Sequence, residues 1–158
     1  MRHRLGSVVL VVAAALVAAG GVVHLREWLD TYRNVPSSAP GAFVVRVGFP
    51  LNAAVSLVLA VALLLTVWRF RRHLTAVVLS AIAFEAASLA SLIVSRTGSV
   101  FGWMEPVWTD GANQARAIEI AAILSLAGVL AAFSPISRFA PLRRGVVPEH
   151  RTLEGDRA

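Results

Sequence analysis

One carboxyl group lies in the middle of an apolar stretch that is long enough to cross a bilayer. The stretch runs from Leu74 to Val94, LTAVVLSAIAFEAASLASLIV, and Glu85 is its only charged residue. At about 1.5 Å per helical residue, Glu85 lies roughly 16 Å from Leu74, close to half of a hydrocarbon core of about 30 Å. A carboxyl group at this depth normally faces a bundle interior or a hydrated cavity. Glu85 is therefore the first candidate for chemistry.

Five further polar side chains are expected to gather towards one end of the apolar segments, with Glu85 somewhat deeper. They are His24, Arg46, Asn52, Arg116 and Glu119. An imidazole, carboxylates and guanidinium groups placed together can bind a cation, relay protons or hold a small anion. We treat these residues and Glu85 as one predicted intramembrane polar site. The same residues also fit a structural role, in which Glu85 makes an interhelical hydrogen bond to Ser or Asn on a facing helix.

Several members of this predicted site also have a local interpretation. Arg116 and Glu119 are three residues apart on one predicted helix, so they can pair with each other. His24 lies where the first segment leaves the hydrocarbon, and a histidine there can simply be hydrated. His24 and Glu27 have the i, i+3 spacing found in carboxylate–histidine metal sites, but such sites also need several inward carboxylates at one level. We therefore predict no metal site and no cofactor.

Several classes of chemistry are excluded by residue type and spacing. The chain has no cysteine, which excludes disulfides, thiolate metal sites and dithiol redox centres. The histidines are not expected to share one depth, as a bis-histidine haem requires. We find neither a glycine-rich phosphate loop nor a spacing typical of a Ser-His-Asp arrangement. An enzymatic function is therefore not expected.

Four apolar segments must position the polar residues. They are predicted at about 5–25, 43–68, 74–95 and 115–134 in a chain of 158 residues with a mean hydropathy of +0.71. A second soluble domain does not fit in this length. The predicted fold is an all-α bundle of four transmembrane helices over residues 1–134. A polar cytoplasmic tail at 135–158, predicted to be disordered, follows the bundle.

Two segments leave alternatives open. The basic start of the chain and the apolar run after it also describe a secretory signal peptide, but the run continues to about 20 residues, a spanning length. The second helix begins either near Leu51, or near Ala42 with a kink at Pro50. The longer version brings Arg46 towards the membrane, where it can pair with an acidic group.

The loop between the third and fourth segments, TGSVFGWMEPVWTDGANQAR, is rich in Gly, Pro and Trp. Its large apolar side chains, Phe101, Trp103, Met104 and Trp108, are poor candidates for full exposure. We expect the loop to pack onto the end of the bundle or to dip into the membrane interface. Trp103 and Trp108 should then be shielded from aqueous quenchers.

The distribution of arginine predicts the orientation in the membrane. All 15 basic residues are arginine. Ten fall on the side of the termini and five on the other side, and these five are Arg26, Arg33, Arg46, Arg96 and Arg116. Positively charged loops stay in the cytoplasm, so both termini are predicted to be cytoplasmic and the two longer loops outside. We therefore attribute the net charge of +6 to arginines that set the orientation of the chain in the membrane. No nucleic-acid partner is expected, because the arginines do not form a basic stripe with interleaved aromatic residues.

In overall plan, the chain resembles small four-helix bacterial membrane proteins of the DoxX-like kind, and more loosely other actinobacterial four-span proteins. The local resemblance is GGVVHL at residues 20–25. It implies a location in the bacterial cytoplasmic membrane and an accessory or redox-associated role, although the chain departs from redox chemistry in having no cysteine.

Two functions from different classes follow. We prefer a small structural or accessory membrane protein whose polar groups hold the helices together and whose outer loops contact a membrane-protein partner or a second copy. The alternative is a proton- or cation-coupled carrier of small solutes that uses Glu85 with Glu119 and His24. It would act as an oligomer because a single bundle leaves little room for a pathway. The first is favoured because Ser88 and Ser95 share a helical face with Glu85, which indicates a packed polar seam.

Overall fold

Four long α-helices make up most of the protein. The computed structural model describes residues 2–69 and 71–133. The helices are α1 (Arg2–Asp30), α2 (Ala42–Trp68), α3 (Leu74–Thr97) and α4 (Asp110–Phe133), with short 3-10 turns at Tyr32–Asn34 and Arg71–His73. All four are long and apolar enough to cross a membrane. The predicted all-α, four-helix fold is confirmed, whereas the tail predicted at 135–158 lies outside the described residues.

The two ends of the bundle are built differently. One end, which we call the loop end, carries the longer connections 31–41 and 98–109. The opposite end, the turn end, carries the short connection 69–73 and the start of α1. Around the bundle, α1 packs against α2 and α4, and α3 packs against α4. Because α2 and α3 pack least closely of the neighbouring helices, space is left between them.

The core towards the turn end is mostly apolar and closely packed, and its buried Thr66 hydroxyl donates to the Leu63 carbonyl oxygen of its own helix. Its fully buried side chains come from all four helices and include Val17, Leu63, Val78, Ala81, Ala122 and Leu126. Lipid tails are as apolar as these side chains, so van der Waals packing rather than removal from water holds the helices together here. The alanines let neighbouring backbones approach closely enough for that packing.

Helix α2 begins at Ala42 and continues through Pro50, which decides between the two predicted starts. A proline inside a helix has no N–H group for the carbonyl four residues earlier, which here belongs to Arg46. The indole N–H of Trp28 donates to that carbonyl at 2.9 Å. A side chain from α1 thus replaces the hydrogen bond that Pro50 removes, so the helix can include the proline.

Helices α1 and α2 approach closely at Gly21. A Cβ atom at this position would lie only 2.7 Å from the Cβ atom of Ser56 and 3.2 Å from the carbonyl oxygen of Ala53. Only glycine leaves room for this contact without a shift of one helix. The contact lies one turn from His24, at the level where the polar side chains meet.

The two loops of the loop end pack against each other. Phe101 and Gly102 form a tight turn between Val100 and Trp103, and both have positive φ values, 48° and 89°. The turn lies so close to Gly41, itself at φ 68°, that a Cβ atom there would collide with the backbone nitrogen of Trp103. The loop therefore packs onto the bundle, as one of the two alternatives predicted.

Shielding of the large apolar side chains in this loop is only partial. Trp103 lies edge-on to Tyr32, with ring centroids 6.0 Å apart. Phe101 is 91% exposed and Met104 is 58% exposed, so the bundle leaves most of both side chains uncovered. The tight turn explains the difference, because it directs the side chain at its tip away from the bundle.

Candidate functional site

One hydrogen-bonded network at the loop end takes a side chain from every helix. Glu119 Oε1 lies 3.0 Å from His24 Nε2 and accepts a hydrogen bond from Ser88 Oγ at 2.6 Å. Asn52 Nδ2 donates to Ser88 Oγ at 2.9 Å, and Ser56 Oγ donates to Asn52 Oδ1 at 3.3 Å. We call these five residues the four-helix network. It joins α1, α2, α3 and α4 at one level of the bundle.

The pair of His24 and Glu119 is the chemically active part of this network. Both side chains are buried, with exposed fractions of 8% and 1%. An imidazole and a carboxyl group at hydrogen-bond distance can form an ion pair or pass a proton between them. The second carboxyl oxygen of Glu119, Oε2, is buried and has no hydrogen-bond partner among the described residues. The pair thus keeps one unused acceptor.

Glu85 is a second buried carboxyl group, one helical turn from Ser88 towards the turn end. It is 2% exposed, and the described part of the chain provides no hydrogen bond to its carboxyl group. Its Oε2 atom lies 3.9 Å from the position that a Cβ atom on Gly20 would take. The interhelical hydrogen bond predicted for Glu85 is made by Ser88 instead.

Two further members of the predicted site, Arg46 and Arg116, lie outside the network, as Glu85 does. Arg116 is exposed, donates to Asn113 Oδ1 at 3.2 Å and lies over the ring of Trp108. Its predicted pairing with Glu119 is not formed, because Glu119 points inwards to His24. Arg46 is exposed, and its guanidinium has no ion pair among the described residues. Both guanidinium groups stay hydrated, since a charge buried without a partner is costly.

A second polar cluster was not predicted from the sequence. Arg96 Nη1 lies 3.2 Å from Glu105 Oε2 and donates to the Glu105 carbonyl oxygen at 2.5 Å. The Tyr32 hydroxyl donates to Glu105 Oε2 at 2.5 Å. We call Tyr32, Arg96 and Glu105 the loop clasp, because they tie the 98–109 loop to the ends of α1 and α3. Burial raises the pKa of Tyr32, and the hydrogen bond to Glu105 and its charge add to this effect.

A cavity of about 410 Å³ lies between α2 and α3 at the loop end. Polar groups of His24, Asn52 and Ser88 lie along one part of it, and Arg96 lies nearer the loop. The rest of its wall is apolar and rich in aromatic rings, including Phe49, Phe84 and Trp103. The cavity occupies the space that remains because α2 and α3 pack least closely.

The site holds too few acidic and imidazole groups in one place to indicate a metal ion. Within residues 2–69 and 71–133, no three side chains of His, Asp or Glu come together as a set of metal ligands. His24 and Glu27, although three residues apart on one helix, do not belong to such a set. Glu27 packs instead against Gly111, where a Cβ atom would collide with its side chain.

Comparison of the chain with protein-family models, with curated proteins and with solved structures gives no match. The resemblance to DoxX-like proteins therefore stays a prediction. The function has to be argued from the geometry alone.

Proposed function

We propose that this chain is a small accessory protein of the cell membrane, whose polar groups fix the arrangement of four helices and whose loop end contacts a protein partner. The observation that supports this most directly is the four-helix network, with His24 on α1, Asn52 on α2, Ser88 on α3 and Glu119 on α4. Polar side chains hydrogen-bond across helices in membranes and give directed contacts that apolar packing lacks. A network with a member on every helix is what a structural role requires.

The loop end offers a surface for the partner. Phe101 lies at the tip of the tight turn and is 91% exposed, and Val107 and Met104 are exposed at 65% and 58%. A phenylalanine in the left-handed backbone region is strained, and strain of this kind is found where a side chain must be presented in one direction. The arginine distribution predicts that this surface faces away from the cytoplasm.

Purification from native membranes in mild detergent tests the proposal, with identification of the proteins that accompany the chain. We expect one protein in a fixed ratio to the wild type. Phe101→Asn should lose it, because asparagine tolerates a positive φ and keeps the turn while removing the ring. Ser99→Asn, an exposed change in the same loop, is the matched control and should retain it. Isolation of the chain without any stoichiometric protein would refute the proposed role.

A proton- or cation-coupled carrier is the second candidate, and one observation favours it. Glu85 is a buried carboxyl group that the network does not use. An intramembrane carboxyl group without a structural partner is a functional candidate. Against this, a second cavity of about 180 Å³ near Thr66 and Arg71 at the turn end is separated from the loop-end cavity by the closed apolar core. The two cavities have no lining residue in common.

Glu85→Gln separates the two candidates. A carrier needs a carboxyl group that ionises during its cycle, so the variant would fold normally but lose proton-dependent uptake in liposomes, while Glu85→Asp would keep some uptake. In an accessory protein, Glu85→Gln should change neither the fold nor the partner. We expect this second result.

A further inference from the structure

The cavity between α2 and α3 combines the features of a small-molecule site. Its volume of about 410 Å³ lies within the range of about 300–1,000 Å³ that is typical of ligand pockets. Its walls are mostly apolar, and a few polar groups lie at defined positions along them, which is the usual composition of such pockets. The four-helix network accounts for the polar groups at one part of the cavity but not for the cavity itself.

The apolar part of the wall is made largely by aromatic rings. These are Phe43, Phe49, Phe84, Phe101 and Trp103. Aromatic rings gain most from another flat ring, which they contact by offset stacking or edge to face. Phe49 already makes such contacts on its other sides, with its ring centroid 5.2 Å from that of His24 and 4.4 Å from that of Tyr32. Its position is therefore fixed before a ligand arrives.

Arg96 lines the cavity, and its guanidinium keeps one hydrogen-bond donor that has no partner among the described residues. Its side chain is only 4% exposed, and its Nε atom is buried without a partner among the described residues. A buried N–H group left unpaired is unfavourable, so an acceptor oxygen placed there is favoured. Arg96 already pairs with Glu105, and an anionic ligand would meet the Glu105 carboxylate beside it. The acceptor should therefore be uncharged, such as a carbonyl oxygen.

Access to the cavity is from the side of the bundle. Phe43 and Leu51 on α2 line it and are exposed at 74% and 59%, on the surface that faces lipid in a spanning helix. The loop clasp covers the same cavity from the loop end. A ligand that enters between α2 and α3 comes from the bilayer, so it has to be lipid-soluble.

We propose that this cavity binds an uncharged, lipid-soluble ring compound whose ring lies among the aromatic side chains, and that the Arg96 guanidinium, whose Nε is covered in this structure, turns so that Nε donates to an oxygen of the compound. The site is distinct from the proposed partner surface, because Arg96 and the other aromatic rings lie in the cavity wall, and the two share only Phe101, which borders the cavity and is 91% exposed.

Binding of two matched probes to the full chain in lipid nanodiscs tests this assignment, with empty nanodiscs as the background. Acetylnaphthalene has a flat ring and a carbonyl oxygen, and ethylnaphthalene has the same ring without the oxygen. We expect saturable binding of one acetylnaphthalene per chain, about fivefold tighter than ethylnaphthalene because of one hydrogen bond. Palmitate should not compete, since its carboxylate would lie next to Glu105.

Variants in the wall locate the binding. Ala87→Trp should abolish binding because Ala87 lines the cavity, whereas Ala86→Trp, on the adjacent exposed position of α3 outside the cavity, should leave it unchanged. Ser91→Phe is a second blocking variant if Ala87→Trp fails to fold. Arg96→Lys keeps a charge for Glu105 but removes the Nε donor, so it should reduce acetylnaphthalene affinity about fivefold and leave ethylnaphthalene affinity as it was.

Three results would each overturn the inference. The first is the absence of saturable acetylnaphthalene binding. The second is equal binding to the Ala87→Trp and Ala86→Trp proteins, which would place the probe elsewhere. The third is full competition by palmitate together with an equal loss of both probes in Arg96→Lys, which would mean that the cavity is a general apolar groove without the assigned donor.

Discussion

The two ends of this bundle hold four helices together in lipid by different interactions. At the turn end, side chains such as Val78 and Leu126 are fully buried in a closed apolar core. At the loop end, the helices are joined by the four-helix network and the loop clasp, and a cavity remains between α2 and α3. Apolar packing holds helices only where they touch. Directed hydrogen bonds can fix helices at a defined separation, so a cavity of about 410 Å³ remains at the polar end, against one of about 180 Å³ at the turn end.

The largest effect on stability is expected from a cavity made at the turn end. Leu126→Ala removes a fully buried side chain from close packing, and we expect a loss of about 2 kcal/mol or more in the free energy of unfolding. Leu124→Ala on the same helix, where the side chain is 67% exposed, is the matched control and should cost less than about 0.5 kcal/mol. Unfolding by SDS in mixed micelles measures both. Equal costs would mean that packing does not dominate at this end.

The loop end should respond to the loss of hydrogen bonds. Glu119→Leu leaves His24 and Ser88 without their shared acceptor, and we expect a loss of about 1–2 kcal/mol in the free energy of unfolding. Glu119→Gln keeps an oxygen for Ser88, so its cost should be about 0.6 kcal/mol, close to the average for one interhelical bond in a membrane. If leucine were tolerated as well as glutamine, the network would not hold the helices.

The contact between the two loops depends on a glycine. Gly41→Ala places a Cβ atom at φ 68° and against the backbone of Trp103, so we expect a loss of roughly 1–2 kcal/mol. Gly48→Ala is the matched control, because nothing lies within 4 Å of its Cβ position inside α2. It should stabilise the protein by about 0.5–1 kcal/mol. A change of the same sign in both variants would contradict the described packing of the loops.

The loop clasp predicts a smaller, pH-dependent effect. Because burial raises the folded-state pKa of Tyr32 above its ordinary value of about 10, the stabilisation is present below that pH and is lost as the pH rises through the raised pKa. The chain has one tyrosine, so phenolate absorbance during an alkaline titration reports on this residue alone. We expect the Tyr32 hydroxyl of the wild type to ionise only above its ordinary pKa and together with unfolding. In the Glu105→Gln protein it should ionise at a lower pH than in the wild type. Ordinary titration near pH 10 in the folded wild type would contradict the clasp.

Much of the fold follows from the sequence because each span is a local pattern. Four apolar runs, two Pro- and Gly-rich connections and one short basic turn are visible without knowledge of the contacts. The continuation of α2 through Pro50 was open, since the hydrogen bond that makes it acceptable joins the Arg46 carbonyl to Trp28, which is 18 residues before Arg46 and on another helix. A prediction based on the residues around a proline cannot include a hydrogen-bond donor that comes from another helix.

The sequence predicted three of the residues that form the candidate site but none of the hydrogen bonds between them. His24, Asn52 and Glu119 do come together, because antiparallel helices of similar length bring them to one level. Arg46 and Arg116 do not, since at the ends of helices a long side chain can turn to water instead of inwards. The clasp between Tyr32 and Glu105 spans 73 residues and has no periodic signal, so only the packed loops reveal it.

The difference between the two ends is tested most directly by the reactivity of single introduced thiols in liposomes. The chain has no cysteine, so Ser91→Cys in the loop-end cavity and Val78→Cys in the apolar core each carry one thiol. We predict that N-ethylmaleimide modifies Ser91→Cys in the folded protein and modifies Val78→Cys only after unfolding. Comparable reaction of Val78→Cys in the folded protein would show that water crosses the core, and would contradict the closed turn end in favour of a carrier.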